Sequence, residues 1–274
     1  MVASAPASHK SRELVLRLIS AAVLIPFALL VVSQGGPILG WACAVFAAVM
    51  GYEWARMTAS PIMPLHAVFS ALPLIAGIYF KIEVALLTLG LCAVIVGAFH
   101  PSGPREKLIS GFGLIYASGL PLGLFLLRSG DWDGQGAALI LMGTVWASDS
   151  GAYFAGRGFG GPPLSPKDSP SKTWSGAFGA LLCSALCGLI AAGLLDASRL
   201  PWLFAGIAIS IAAQWGDLFE SSLKRRFGVK DTSGFVPGHG GVMDRVDGLG
   251  MACIVAVLVL TFASGVPELL GLKA

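Results

Sequence analysis

Charged residues and glycines are concentrated in one polar segment, residues 221–248, which reads SSLKRRFGVKDTSGFVPGHGGVMDRVDG. Gly240 and Gly241, beside His239, let backbone N–H groups approach a phosphate without obstruction by a Cβ atom. Asp244 and Asp247 are three residues apart, so they share a face if a helix begins there. Basic groups, a glycine turn and paired carboxylates together favour binding of a polyphosphate with Mg²⁺, which takes oxygen ligands.

Two further groups of polar residues precede this segment. Asp217 lies at the inner end of an apolar run, and Glu220 follows it at the same three-residue spacing. Before another run, Ser169 or Ser171 could cap the helix that follows, which would leave Lys172 and free N–H groups as an anion site. These groups extend the predicted phosphate and metal chemistry to other parts of the chain.

Structural interpretations stand beside these functional ones. The basic cluster could mark membrane topology or contact lipid headgroups, and the two aspartates near its end could form the acidic first turn of a helix. Asp149 lies inside an apolar run, where an ionisable residue is a functional candidate by default, but it could instead pair with Arg157. Glu53 is expected to pair with Arg56 near the end of another run.

Composition predicts the elements that must position these residues. Of the 274 residues, 55% are hydrophobic and 12% are charged, and the mean hydropathy is +0.79. Soluble domains carry about 25% charged residues, so a soluble single-core protein and a disordered chain are both excluded. Apolar runs near 20 residues predict an all-α, polytopic integral membrane protein of about nine transmembrane helices. The runs are Leu14–Val32, Ile38–Ala55, Leu65–Phe80, Val84–Phe99, Leu108–Leu127, Gly136–Phe154, Trp174–Leu195, Pro201–Phe219 and Leu249–Val266.

The basic residues predict the orientation of these helices. With the N-terminus inside, 14 of the 18 Lys and Arg residues fall on the cytoplasmic side, as the positive-inside rule requires. Nine spans then place the C-terminus outside. The two long polar connections, residues 155–173 and 220–248, lie inside, so the active site should face the cytoplasm. We divide the chain into an N-terminal tail with four spans, residues 1–104, and a catalytic membrane region, residues 105–274.

The polar segment as a whole resembles the signature of the phosphatidate cytidylyltransferase (CDP-diacylglycerol synthase) family. That signature has the form S-x-x-K-R-x(4)-K-D-x-S-x-x-x-P-x-H-G-G-x-x-D-R-x-D, and a match of this length is far more specific than a lone glycine motif. The matching residues, without a gap, are Ser221, Lys224, Arg225, Lys230, Asp231, Ser233, Pro237, His239, Gly240, Gly241, Asp244, Arg245 and Asp247.

The resemblance extends upstream and covers about residues 105–274. Residues 169–176, SPSKTWSG, resemble the element S-P-K-K-T-W-E-G of the family, with Ser171 and Ser175 in place of Lys and Glu. Residues 216–221, GDLFES, look like its G-D-L-x-E-S. The stretch W-x-x-D-x-x-A-Y-x-x-G-R-x-x-G is matched by Trp146, Asp149, Ala152, Tyr153, Gly156, Arg157 and Gly160.

The resemblance implies an activity, a cofactor and partners. The activity is transfer of the cytidylyl group of CTP to phosphatidic acid, giving CDP-diacylglycerol and pyrophosphate, in phospholipid biosynthesis at the inner (cytoplasmic) membrane. The cofactor is Mg²⁺, with a second metal ion left open. The partners are CTP, phosphatidic acid and the lipid bilayer, with no nucleic acid and with a homodimer left open.

The resemblance and the chemistry of the side chains together assign roles. Catalysis is assigned to Asp217, Asp244, Asp247, Lys224 and Arg245, and the three aspartates among them are the expected metal ligands. Asp149 and Glu220 are further metal candidates. Substrate binding is assigned to Ser169, Lys172, Thr173, Arg225, His239, Gly240 and Gly241.

Two other functions stay open from the sequence. A CTP-dependent lipid-alcohol kinase would use the same metal and nucleotide chemistry but would transfer the γ-phosphate. A transporter would place charged residues near the bilayer midplane and would break its helices there. In this sequence the carboxylates lie at the predicted inner ends of the helices.

Overall fold

The protein is built almost entirely from helices. The structure, a computed structural model, describes residues 22–235, 240–263 and 265–272. Its helices are α1 (described over Ala22–Gln34), α2 (Gly36–Met57), α3 (Met63–Tyr79), α4 (Ile82–Phe99), α5 (Pro104–Ser129), α6 (Gly134–Phe159), α7 (Trp174–Leu194), α8 (Arg199–Arg226), α9 (Met243–Phe262) and α10 (Val266–Leu269). A small antiparallel hairpin, β1 (Pro163–Ser165) and β2 (Ser169–Thr173), lies between α6 and α7.

Six of the described helices are long and apolar enough to cross a membrane: α2, α4, α5, α7, α8 and α9. Helices α1 and α3 are apolar but shorter over their described residues. Helix α6 has 26 residues, but polar residues such as Asp149 interrupt its apolar sequence. The predicted all-α membrane protein is therefore confirmed, whereas the count of about nine spans is not.

The outer surface of the helices is apolar, as expected for contact with lipid. Leu87 on α4, Leu194 on α7 and Phe262 on α9 are 73%, 78% and 80% exposed. Many of the residues buried between the helices are instead small, such as Ala47 and Ala180. Large apolar side chains outside and small residues inside are typical of helices that pack closely within a bilayer.

Helix packing brings four helix ends together around one site. Consecutive helices from α2 to α9 contact each other, and α5 also packs against α2 and α9. Trp54 of α2 anchors this arrangement, because its ring lies 5.8 Å from that of Tyr116 on α5 and 6.2 Å from that of Phe227 after α8. The C-terminal parts of α6 and α8 and the N-terminal parts of α7 and α9 line a common cavity.

The polar connections are shorter than the predicted loops 155–173 and 220–248. Helix α6 continues to Phe159 and α8 to Arg226, and α9 begins at Met243 rather than at residue 249. Hydropathy falls where side chains turn toward the polar cavity, although the backbone hydrogen bonds of the helix continue. Part of the first predicted loop is also β-structure, with Pro163 opposite Thr173 and Ser165 opposite Ser169.

Candidate active site

A polar cavity of about 860 Å³ lies between α6, α7, α8, α9 and the hairpin. Its volume falls within the range of small-molecule sites. The ionisable residues that line it are Asp149, Arg157, Lys172, Asp217, Lys224, Asp231, Asp244, Arg245 and Asp247. A cavity lined by both acidic and basic side chains suits a charged ligand that binds together with a counter-ion.

The close approach of α8 and α9 places Asp217 and Asp247 on the same cavity. A Cβ atom on Gly216 would lie 2.7 Å from the carbonyl oxygen of Asp247, and one on Gly248 would lie 3.0 Å from that of Ala213. Glycine at both positions therefore lets the two backbones approach more closely than side chains would allow. Each aspartate is the chain neighbour of one of these glycines.

Three carboxylates of the cavity act on one another electrostatically. The negative charge of Asp217 repels both Asp149 and Asp247. Asp217 forms an ion pair with Lys172 of β2, and the Asp217 side chain is still 42% exposed. An ion pair this open to solvent contributes little stability, so Lys172 can exchange this partner for a charged ligand.

Asp244 has a different environment, because it is almost fully enclosed. Its side chain is 4% exposed, and its Oδ1 lies 2.6 Å from Lys224 Nζ. Its Oδ2 accepts hydrogen bonds from the backbone N–H groups of Thr232 at 3.1 Å and Gly241 at 2.8 Å. These contacts hold the polar loop against α9, and the metal role of Asp244 stays a prediction.

Lys224 lies between two buried carboxylates. Besides Asp244, its Nζ contacts Glu220 Oε1 at 3.1 Å, and the Glu220 side chain is fully buried. The Lys224 side chain is itself only 13% exposed. Both carboxylates depend on this one ammonium group, since a buried charge without a partner is strongly destabilising.

The start of α7 is fixed by Thr173, which corrects the predicted cap at Ser169 or Ser171. The Thr173 hydroxyl accepts a hydrogen bond from Gly176 N at 3.1 Å. Ser175, which departs from the family pattern, donates to the carbonyl oxygen of Gly160 and lies 2.9 Å from the Thr173 hydroxyl. Ser175 therefore ties the end of α6 to the start of α7.

The predicted site residues divide into three groups. Those that the structure brings together on the cavity are Lys172, Thr173, Asp217, Lys224, Asp244, Arg245 and Asp247, and Asp149 joins them. Those placed beside it are Ser169, Arg225, Gly240 and Gly241, of which Arg225 donates to the carbonyl oxygen of Asp168 at 3.3 Å. His239 lies outside the described residues.

The sequence did not predict that Glu53 contacts the elements of this site. The expected pair with Arg56 is wrong, because the Glu53 carboxylate accepts hydrogen bonds from the start of α9, at Val242 N and Met243 N. Arg56 is exposed. The sequence did contain a signal, because Glu53 is an ionisable residue within an apolar run. A pair with Arg56, three residues later, explained that signal more simply.

The cavity carboxylates fit a hard divalent cation. Among the residues that the structure describes, no group of three or more His, Cys, Asp and Glu side chains forms a metal site by itself. Mg²⁺, however, commonly binds one or two carboxylates together with waters and substrate phosphates. Asp217 and Asp247 provide such a pair, and the basic side chains nearby suit the phosphates.

An apolar groove of about 320 Å³ adjoins the polar cavity. It is lined by α1, α2, α5, α6 and α9, and Arg245 alone is charged among the described residues that line it. Trp146, Arg245 and Leu249 line both the groove and the cavity. A charged compartment and an apolar compartment therefore meet at the first turns of α9.

Comparison with known protein families gives a match over most of the chain. The model of the cytidylyltransferase family covers residues 15–263. The chain belongs to the cytidylyltransferase family.

Individual proteins that are similar to this chain have names that agree with this family. A phosphatidate cytidylyltransferase of Brucella suis biovar 1 is 38% identical over 251 residues, which cover 88% of this chain and 91% of that protein. One of Pseudomonas aeruginosa is 35% identical over 276 residues, which cover 91% and 97%. One of Mycobacterium leprae is 42% identical over 131 residues, which cover 47% and 42%. The predicted family resemblance is thus confirmed, and the match also includes most of the first hundred residues.

The contacts of Lys224 generate a prediction about stability in this cytidylyltransferase-family protein. Replacing Lys224 by Met keeps the side-chain length but leaves Glu220 and Asp244 without their shared cation. We expect the free energy of unfolding to fall by about 3 kcal/mol, measured as a lower midpoint of thermal unfolding in detergent.

The control for this variant is Lys107→Met, which changes an exposed lysine at the start of α5 and should unfold like the parent. Adding Glu220→Gln to Lys224→Met should recover part of the loss, because one uncompensated charge is then removed. Equal midpoints for Lys224→Met and the parent would show that the two carboxylates do not need Lys224.

Proposed function

We propose that this protein transfers the cytidylyl group of CTP to phosphatidic acid, forming CDP-diacylglycerol and pyrophosphate. The observation that carries the proposal is the meeting of a charged cavity and an apolar groove at Arg245. The reaction joins a highly charged nucleotide to a lipid, so it needs one compartment of each kind. The names of the similar proteins agree with this choice of substrates.

The proposed reaction brings two anions together. A phosphate oxygen of the lipid attacks the α-phosphorus of CTP, the bond to the β-phosphate breaks, and pyrophosphate leaves. Lys172 and Arg245, which both line the cavity, would neutralise the phosphates, and the helix ends would hold the attacking and leaving oxygens in line. Arg245 would contact the lipid phosphate, because it is the charged residue among the described residues that line the groove.

A divalent cation, which we propose to be Mg²⁺, would be held by Asp217 and Asp247 and would supply charge stabilisation at the phosphates. When the cation binds, Lys172 would leave Asp217 and turn to the triphosphate. Asp149 would add negative charge on the α6 side of the cavity. Asp244 and Lys224 would keep the loop and α9 in place.

We further propose that α1 to α9 all cross the inner membrane, with the cavity on the cytoplasmic side. The distribution of Lys and Arg supports this orientation. The 26 residues of α6 are long enough to cross despite its polar face. The two charged residues of α6, Asp149 and Arg157, line the cavity, which makes crossing physically acceptable.

The activity itself is the first test. Purified protein in mixed micelles of detergent and phosphatidic acid should release pyrophosphate from CTP only when Mg²⁺ is present, and should form CDP-diacylglycerol in equal amount. The control omits phosphatidic acid and should release no pyrophosphate. Formation of CDP with a phosphorylated lipid alcohol would contradict the proposal and would indicate a kinase.

Asp247 provides a sharper test of the metal assignment. Asp247→Asn keeps the shape of the side chain but removes the charge that a cation needs, so we expect turnover to fall at least about 10³-fold, roughly 4 kcal/mol of transition-state stabilisation. The matched control is Asp131→Asn, an exposed aspartate in the connection between α5 and α6. Turnover of Asp247→Asn within fivefold of the parent at saturating Mg²⁺ would refute the assignment.

Orientation can be measured by labelling in a variant from which the five native cysteines have been removed. Lys167→Cys places a thiol in the exposed turn of the hairpin, and it should react with an impermeant maleimide only after the membrane is opened. Asp131→Cys lies in a connection at the opposite helix ends and should react in intact cells. The reverse pattern would show that the cavity faces outward.

A further inference from the structure

A buried carboxylate from the first part of the chain contacts the start of α9. Glu53, near the C-terminal end of α2, is 0% exposed. Its Oε1 accepts a hydrogen bond from Val242 N at 2.8 Å, and its Oε2 accepts one from Met243 N at 2.7 Å. Ser233 Oγ donates to Oε1, and Thr232 Oγ1 lies 3.3 Å from Oε2. Two segments that are 179 to 190 residues away in the chain thus meet on one side chain.

The start of α9 lacks a cap of its own. The first N–H groups of a helix have no partner within the helix, and a Ser, Thr, Asp or Asn side chain at the N-cap usually satisfies them. Val242 occupies the N-cap of α9 and provides no such side-chain hydrogen bond. Glu53 supplies the missing acceptor from another helix, and its negative charge lies at the positive end of the helix dipole.

The same carboxylate is linked to the residues of the cavity. The Thr232 hydroxyl, which contacts Glu53, also lies 3.1 Å from Asp244 Oδ2. A Cβ atom on Gly241 would lie 2.6 Å from Glu53 Oε1, so only glycine fits between them. Arg245 and Asp247 follow within the first two turns of α9. Any shift of this helix start therefore moves both of them within the cavity.

A role in packing alone does not account for these contacts. Trp54, the next residue, already anchors α2 by its rings against α5 and the end of α8. Glu53 is not among the described residues that line the cavity, so it has no direct access to a ligand. Its partners are the N–H groups of α9 and two hydroxyl groups of the polar loop, and those are the segments whose placement the reaction needs.

We propose that Glu53 is a positioning residue, which fixes the first turn of α9 and thereby places Arg245 and Asp247 for cytidylyl transfer. Glu53 acts through these residues and does not touch the substrate. The proposal rests on the proposed function for its kinetic part. Its structural part, that Glu53 holds the start of α9, is testable without any substrate.

The test compares Glu53→Gln, Glu53→Asp and a control. In Glu53→Gln an amide N–H₂ replaces one oxygen and meets N–H donors, whereas Glu53→Asp keeps the charge on a shorter side chain. Hydrogen–deuterium exchange of the amides of residues 242–247 should rise at least about tenfold in Glu53→Gln, with no change in α4 or α7. Glu83→Gln, which changes an exposed residue in the first turn of α4, should exchange like the parent.

Kinetics supply the second readout. In Glu53→Gln, kcat should fall at least about 30-fold, roughly 2 kcal/mol, while the KM for CTP changes less than about threefold. Glu53→Asp should regain a substantial part of kcat, since the charge still faces the helix start. If the parent itself shows no turnover, the proposed function fails, and the exchange measurement still decides whether Glu53 holds α9.

Two results would overturn the proposal. One is unchanged exchange at residues 242–247 in folded Glu53→Gln, and the other is an equal rise of exchange in all helices, which would indicate a general loss of stability. If Glu53→Gln does not yield folded protein, Ser233→Ala removes one donor and leaves the carboxylate. Exchange at residues 242–247 should then rise in Ser233→Ala, and an unchanged rate there would also overturn the proposal.

Discussion

Keeping several carboxylates charged among apolar helices is costly, and the site depends on how that cost is offset. Asp244 and Glu220 share the ammonium group of Lys224. Glu53 accepts four hydrogen bonds from the loop and from the start of α9. The partners of Asp244 and Glu53 come from another helix or from the polar loop, whereas Glu220 and Lys224 lie one turn apart on α8. The carboxylates thus determine which parts of the chain must come together.

The carboxylates differ in how completely they are compensated. Asp244 and Glu53 are enclosed and hydrogen-bonded on both oxygens, so they hold the structure. Asp217 is partly exposed and is paired, among the described residues, with the partly exposed Lys172, and it repels Asp247 across the α8–α9 contact. This remaining repulsion is what a cation bound with a phosphate ligand would relieve. The division that we propose between structural and reactive carboxylates therefore follows from how completely each one is compensated by its partners rather than from residue type.

Much of this arrangement could be predicted from the sequence, but the helix ends and the long-range contacts could not. Hydropathy located the apolar helices, and the polar segment 221–248 indicated the family and contains five of the nine charged residues that line the cavity. Hydropathy failed at the ends of α6 and α8, because side chains that face a polar cavity are themselves polar within a continuous helix. It also gave no means to connect Glu53 with residues about 180 positions later, and the local partner Arg56 was therefore chosen. Spacing showed that Asp244 and Asp247 share a helix face, but it could not show that Lys224 and the polar loop enclose Asp244.

The start of α9 combines three features: N–H groups that donate to Glu53, the charged side chain of Arg245 and the carboxylate of Asp247. These features would be difficult to separate in evolution or in design. The backbone N–H groups of Val242 and Met243 donate to Glu53, so these two groups are not available to bind a phosphate as they would be at a free helix terminus. Anion binding at this end must then come from side chains, and Arg245 is the charged side chain common to the cavity and the groove. Because Asp247 follows Arg245 by two residues on the same helix, the cation and anion contacts that we propose for them would move together when α9 moves. In the proposed reaction, the position of this one helix start would therefore set the geometry on both sides of the reacting phosphates.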